Sequence, residues 1–239
     1  MKNRKTNGYS LIEVLIAISL LALLSVGILT AMRIGLSATV KVNTKLMQNR
    51  RVAGTQKVLE QQIAGFMPVI ALLTGSPQTS MAFFQGEAQS MRFISSYSLQ
   101  AASRGVPQIL EFQVIPGEQG AGVRLVVNEW PYTGPLSAGI FCLGRVPDPT
   151  RGVTVPRFRP IQPGPNSFVL ADRLAYCRFA YLEPKPKPVS EEWNANWIYE
   201  RWPLGIRMEM ASLDENPTGL HMVTVTAPLH VNHQPYSDR

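Results

Sequence analysis

The chain has 239 residues, a formal net charge of +7, 45% apolar and 16% charged residues, and only two cysteines. That length holds one medium domain with an appendage and can bury a core, and the apolar content excludes long disorder. Two cysteines exclude a four-cysteine zinc site or a disulfide-dense mini-protein, and no metal or cofactor signature takes their place. Three of the positive charges, Lys2, Arg4 and Lys5, lie in the first eight residues. The +4 left over the rest of the chain gives no footprint for nucleic acid, and none is expected as a partner.

The basic residues 1–8 are followed by Tyr9-Ser10-Leu11-Ile12-Glu13-Val14 and a nearly uniform apolar run. Val14 to Met32 is 19 residues without a charge, just long enough to cross a bilayer core as a helix. The preceding cations keep the N-terminus cytoplasmic and carry the bulk of the chain outward. A cleaved secretory signal would have a shorter apolar core and a small-residue cleavage site after it. A plain signal anchor does not explain Glu13, because an acid in an apolar span costs roughly 2.5–3.5 kcal/mol on insertion scales. If the chain were cut after Gly8, Tyr9 would carry a new α-amine and Glu13 would lie four residues on, on the same helix face. A carboxylate on a neighbouring copy could then pair with that amine and set the axial register of packed helices.

Gly8-Tyr9-Ser10-Leu11-Ile12-Glu13-Val14-Leu15-Ile16-Ala17 resembles the type IV prepilin N-terminal motif. The basic leader, the glycine, the aromatic and the fifth-position glutamate all match, with Tyr9 where phenylalanine is usual. The resemblance implies cleavage between Gly8 and Tyr9 by prepilin peptidase, N-methylation of Tyr9, and contact of Glu13 with the N-terminus of an adjacent subunit.

Beyond the span, Val52, Leu59, Ile63 and Phe66 fall on one helical stripe, opposite Arg50, Arg51, Lys57, Glu60, Gln61 and Gln62. Pro68 is expected to end this helix. From Tyr9 to about Gly65 it would run 57 residues, roughly 85 Å. The expected organisation is a cleaved leader over 1–8, a membrane or filament-core helix over 9–36, an amphipathic helix over 37–67, and a periplasmic β-rich head over 68–239.

Strand-like runs follow at Met91–Tyr97, Ile109–Ile115, Val123–Glu129, Phe168–Tyr176, Arg178–Leu182, Ile206–Ala211 and His221–Ala227. Leu110, Phe112 and Val114 face one way, while Glu111 and Gln113 face the other. The turn Pro116-Gly117-Glu118-Gln119-Gly120-Ala121-Gly122 reads as an antiparallel hairpin connection. No long helix returns, so the fold class is α+β: a long N-terminal helix packed on an antiparallel sheet, as in pilins. Eight prolines between residues 131 and 165 predict a long irregular surface connection or flap. Pro184, Pro186 and Pro188 predict a stiff extended loop.

Trp193, Trp197, Tyr199 and Trp202 fall within ten residues. Capping of a core edge and anchoring of another subunit or exported cargo are the two readings. Cys142 and Cys177 lie in the exported part, where an oxidising envelope favours a bridge; two buried free thiols are the alternative, and sequence does not choose. No nucleophile elbow, Walker loop or zinc-protease motif occurs, and no enzyme activity is expected. His221, His230 and His233 read as tail residues, and Asp148, Asp172, Asp214 and Glu215 form no calcium loop.

Arg178-Phe179-Ala180-Tyr181-Leu182, the Trp193 and Trp197 loop, and Pro203-Leu204-Gly205-Ile206-Arg207-Met208 together resemble the C-terminal half of the J-type minor pseudopilins of type II secretion. Phe84-Gln85-Gly86 before Met91-Arg92-Phe93-Ile94 fits the same pattern. The family implies a structural subunit at or near the tip of a pseudopilus, assembled with I- and K-type minor pseudopilins and supporting protein export. Its anchor would lie in the inner membrane and its head in the periplasm. A minor pilin of a type IV pilus or DNA-uptake machine shares the N-terminus and differs in its partners. A signal-anchored envelope enzyme would need a convergent catalytic constellation and no cut after Gly8.

Overall fold

A computed structural model describes residues 10–73, 79–99, 103–149, 152–164, 167–185, 191–213 and 223–229. The fold is α+β, with a long N-terminal helix and a large antiparallel sheet. By internal contacts the chain divides into two units, Met1–Gln48 and Asn49–Arg239.

The described part of the first unit is helical throughout and belongs to α1, Leu11–Ala64. Its apolar segment Leu11–Ser37, 27 residues, is long and apolar enough to cross a membrane, and none of it is buried within the chain. Four hydroxyls in this segment are satisfied inside the helix. Ser19 donates to the Ile16 carbonyl at 2.8 Å, Ser25 to Leu21 at 2.8 Å, Thr30 to Val26 at 2.7 Å and Ser37 to Ile34 at 2.9 Å. In lipid or between packed helices these groups need no water.

In the second unit α1 ends at Ala64, four residues before Pro68. Gly65 turns the chain, and a Cβ there would sit 2.6 Å from Ser95 Oγ. The next residues leave the helix because they pair with a strand. Phe66–Met67 forms β1, and β2 is Ile70–Leu72, β3 Ser80–Ala82 and β4 Gln85–Gly86. Three long strands follow: β5 Ser90–Ser98, β6 Ser103–Pro116 and β7 Val123–Pro131. Then come a helical turn α2 (Pro135–Gly139), β8 (Cys142–Asp148) and β9 (Val153–Phe158). The chain closes with β10 (Phe168–Pro184), β11 (Glu191–Asn194), β12 (Gly205–Ser212) and β13 (Val223–Pro228).

The main sheet runs β1-β5-β6-β7-β10-β12-β13, all antiparallel, with β4 paired to β5 and β11 to β10. The β6–β7 hairpin closes where expected, with the Gly117 amide donating to the Gly122 carbonyl at 2.9 Å. The two runs expected on either side of Cys177 are one continuous strand, β10. It pairs with β7 over its first half and β12 over its second, with irregular register near Leu174 and a positive φ of 55° at Arg173.

One core holds Leu59 and Ile63 of α1 against Phe93, Phe112, Leu125, Phe179, Tyr181, Ile206 and Met208. The helical stripe therefore covers this face of the sheet; the Val52 side chain lies outside the described residues, and Phe66 packs on the core from β1 instead. The proline-rich stretch departs from expectation. It is not an irregular flap: α2 and the β8–β9 hairpin form a layer with its own core of Phe83, Ile94, Ile109, Ala138, Cys142 and Phe158. That layer covers the opposite face of β5 and β6, and the sheet is buried on both sides there. Gly139 is required at the seam, because a Cβ would fall 1.7 Å from the Leu72 carbonyl oxygen.

Candidate assembly site

Glu13 stands in the first turn of α1 and is exposed on a helix whose neighbouring side chains are apolar. The Ser10 carbonyl accepts from the amides of Glu13 (3.0 Å) and Val14 (3.3 Å), so the helix is wound from this point. A carboxylate there also faces the positive end of the helix dipole. Glu13 and Arg33 are the charged residues of the Leu11–Ser37 segment. Gly8 and Tyr9 lie outside the described residues, as do His221, His230 and His233 and the acids Asp214 and Glu215.

The aromatic set is divided by the structure. Trp197 and Trp202 are buried in the main core, so neither is free to anchor a partner or cargo. Trp197 makes edge contacts with Phe84 and Tyr199, and its indole donates to the Arg201 carbonyl at 2.6 Å. Trp193 and Tyr199 are half-buried under cations: Arg207 lies 3.9 Å from the Trp193 ring and Arg201 4.8 Å from Tyr199. The loop is bound to Glu183, a buried carboxylate at the end of β10. Glu183 accepts from Asn194 at 2.8 Å and Arg201 at 3.2 Å and pairs with Lys185 at 3.1 Å. Burial opposes ionisation of Glu183, but hydrogen bonds from Tyr199 and Lys185 outweigh it and hold the carboxyl below its ordinary value. The capping reading therefore accounts for the loop.

Cys142 and Cys177 are free thiols in separate cores, and the bridge is not formed. Burial pushes each thiol up to about 12, with Arg92 pulling Cys142 slightly back. Neither is a nucleophile at neutral pH. Among the described residues no group of three His, Cys, Asp or Glu side chains is placed to hold a metal ion.

The structure adds a polar centre that the strand pattern hid. Glu111 faces away from Leu110, Phe112 and Val114, as the alternation predicts, and is nonetheless buried beneath the α2–β9 layer. Arg92, 1% exposed, sits opposite it in register and donates through Nε at 2.8 Å, with its second nitrogen at 2.5 Å. The other Glu111 oxygen accepts from Asn128 at 2.9 Å and from the Trp130 indole at 3.0 Å. Arg92 also donates to the Arg159 carbonyl at 3.0 Å, and Asn128 to Gln162 at 2.9 Å. Phe141 and Phe158 cover the guanidinium at 5.0 and 5.9 Å. Burial pushes the Arg92 pKa down and Glu111 opposes it. These bonds fasten the layer to the sheet. The sequence signal was Ile94 and Ile109, apolar residues on the same face as Arg92 and Glu111.

Residues 3–29 match the prokaryotic N-terminal methylation motif. The chain carries a type IV pilin-like signal that runs into the one helix, among the described residues, long and apolar enough to cross a membrane. Gly8, Tyr9 and Glu13 fall inside the matched stretch, and the arrangement is compatible with a single-pass membrane anchor. A comparison with curated proteins gave no match.

Proposed function

We propose that the chain is a J-type minor pseudopilin of a type II secretion system, a structural subunit at or near the pseudopilus tip. The observation that carries this reading is Glu13. It is an exposed carboxylate in the first turn of α1, among apolar neighbours, inside a matched methylation motif and four residues past Tyr9. An unpaired carboxylate among apolar helices is costly, and the amine of Tyr9 on an adjacent subunit supplies a partner at the right place. Cleavage after Gly8 and methylation of Tyr9 would prepare that amine. The J-type assignment is supported by the resemblance of β10, the tryptophan loop and β12 to that family's pattern, three segments that lie side by side in the sheet. I- and K-type minor pseudopilins are the proposed partners, with the anchor in the inner membrane and the head in the periplasm.

The test is intact mass and N-terminal sequencing of the protein from its native membrane, with prepilin peptidase present and deleted. A chain beginning at methylated Tyr9, lost on deletion, is expected; a chain beginning at Met1 in both strains refutes the reading. Co-purification with I- and K-type proteins identifies the secretion machine, whereas loss of surface fibres or transformation on deletion of the chain assigns it to a type IV pilus system.

A further inference from the structure

Glu13 and Arg33 stand 20 residues apart on one uninterrupted helix, α1. At the helical rise that is about 30 Å, the thickness of a bilayer's hydrocarbon core. At about 100° per residue the two side chains lie on opposite sides of the helix, roughly 160° apart. Both are exposed, and neither side chain has a hydrogen bond or ion pair among the described residues. The neighbours of Arg33 one turn away, Leu29, Thr30, Leu36 and Ser37, include no acid.

Opposite charges spaced in this way cannot meet within one helix. Nor can they meet between parallel helices inserted at equal depth, where Glu13 lies at one boundary of the span and Arg33 at the other. Two antiparallel helices could not make both contacts across one interface, because the groups face opposite ways. The charges do meet between parallel helices offset by one span. When a subunit advances out of the bilayer by about 30 Å, its Glu13 rises to the level of Arg33 on a subunit still inserted. With the groups on opposite sides, one helix can use each toward a different neighbour, and the contact repeats head to tail, the geometry of an open filament.

We infer that Arg33 pairs with the first-turn carboxylate of an adjacent pilin-like subunit standing one span further out. The inference rests on the filament reading above and adds a second assembly residue to it. A carboxylate has two oxygens, so a Tyr9 amine on one neighbour and an Arg33 guanidinium on another do not exclude each other. The contact sits at the outer boundary of the span, where a long cationic side chain reaches the polar interface. There it receives a subunit that is leaving the bilayer.

The test follows the full chain in its native membrane. Arg33→Gln should insert and be cut after Gly8 as the unaltered chain is, and enter filaments about tenfold less. Arg33→Lys should restore entry. A photoreactive phenylalanine analogue at Leu29 or Ser37, on the Arg33 side, should cross-link to the first two turns of another subunit's helix, and Arg33→Gln should abolish those cross-links. Normal entry of Arg33→Gln, or cross-links confined to lipid or to partner residues at the same depth, would overturn the inference and leave the filament reading standing. An unaltered chain that is left uncut and enters no filament would overturn both.

Discussion

Glu111→Ala is the sharpest perturbation of the head. It removes the acceptor of four hydrogens at once: two from Arg92, one from Asn128 and one from Trp130. Asn128 keeps Gln162 and Ser167, and the half-exposed Trp130 can turn to water. Arg92 cannot. At 1% exposure it would keep a positive charge among Phe141, Phe158 and the sheet, held only by Gln85 and the Arg159 carbonyl. Stranding a buried charge in this way costs about 3–5 kcal/mol. For a head of this size that lowers Tm by roughly 6–20 °C.

The control is the pair Arg92→Met with Glu111→Leu. Replacing both charges by apolar groups of similar volume leaves no stranded ion, so the double variant should lose only about 1–2 kcal/mol. The two single costs should then exceed the double by at least ~2 kcal/mol in a double-mutant cycle. Urea unfolding of the full chain in micelles, followed by tryptophan fluorescence, measures all four members. Hydrogen exchange should show the loss concentrated in β8 and β9. A cost below about 1 kcal/mol for Glu111→Ala, or single costs that simply add, would refute the idea that this pair fastens the layer.

Glu13→Ala should leave membrane insertion intact and abolish incorporation into filaments, read by fractionation and by cross-linking to neighbouring subunits. Because burial holds both thiols near 12, maleimide at pH 8 should label neither Cys142 nor Cys177 in the folded chain and both after unfolding without reductant; a bridge would give no label in either state. The lowered pKa of Glu183 stabilises the fold above the ordinary carboxylate range, and that stability is lost as pH falls through the folded value. Acid unfolding below about pH 4.5 should therefore begin in the tryptophan loop, and Glu183→Gln should flatten that limb of the profile. Gln62 is fully buried with both amide atoms unpartnered, so Gln62→Met should stabilise the head by about 1–2 kcal/mol, measured by urea midpoint.

What the sequence reveals about this chain depends on whether an anomaly exists along the chain or only in space. Glu13 is visible in one dimension, because a carboxylate in a run of leucine, isoleucine and valine conflicts with its immediate neighbours whatever the fold. The strands of the main sheet are visible for a similar reason: Leu110, Phe112 and Val114 repeat at the period of a strand, and that period survives any tertiary context. The tryptophan loop was ambiguous because aromatic density serves a core edge and a binding patch equally; only the buried positions of Trp197 and Trp202 decide it. Glu111 looked ordinary. A charged residue alternating with apolar ones is what a solvent-facing strand position shows, and the covering layer comes from a segment whose prolines erase periodicity. Pro147 and Pro156 both sit inside the β8–β9 hairpin, where an edge tolerates them because no further strand needs their missing amide hydrogens. The prolines that concealed the hairpin from pattern reading are thus compatible with it as an edge.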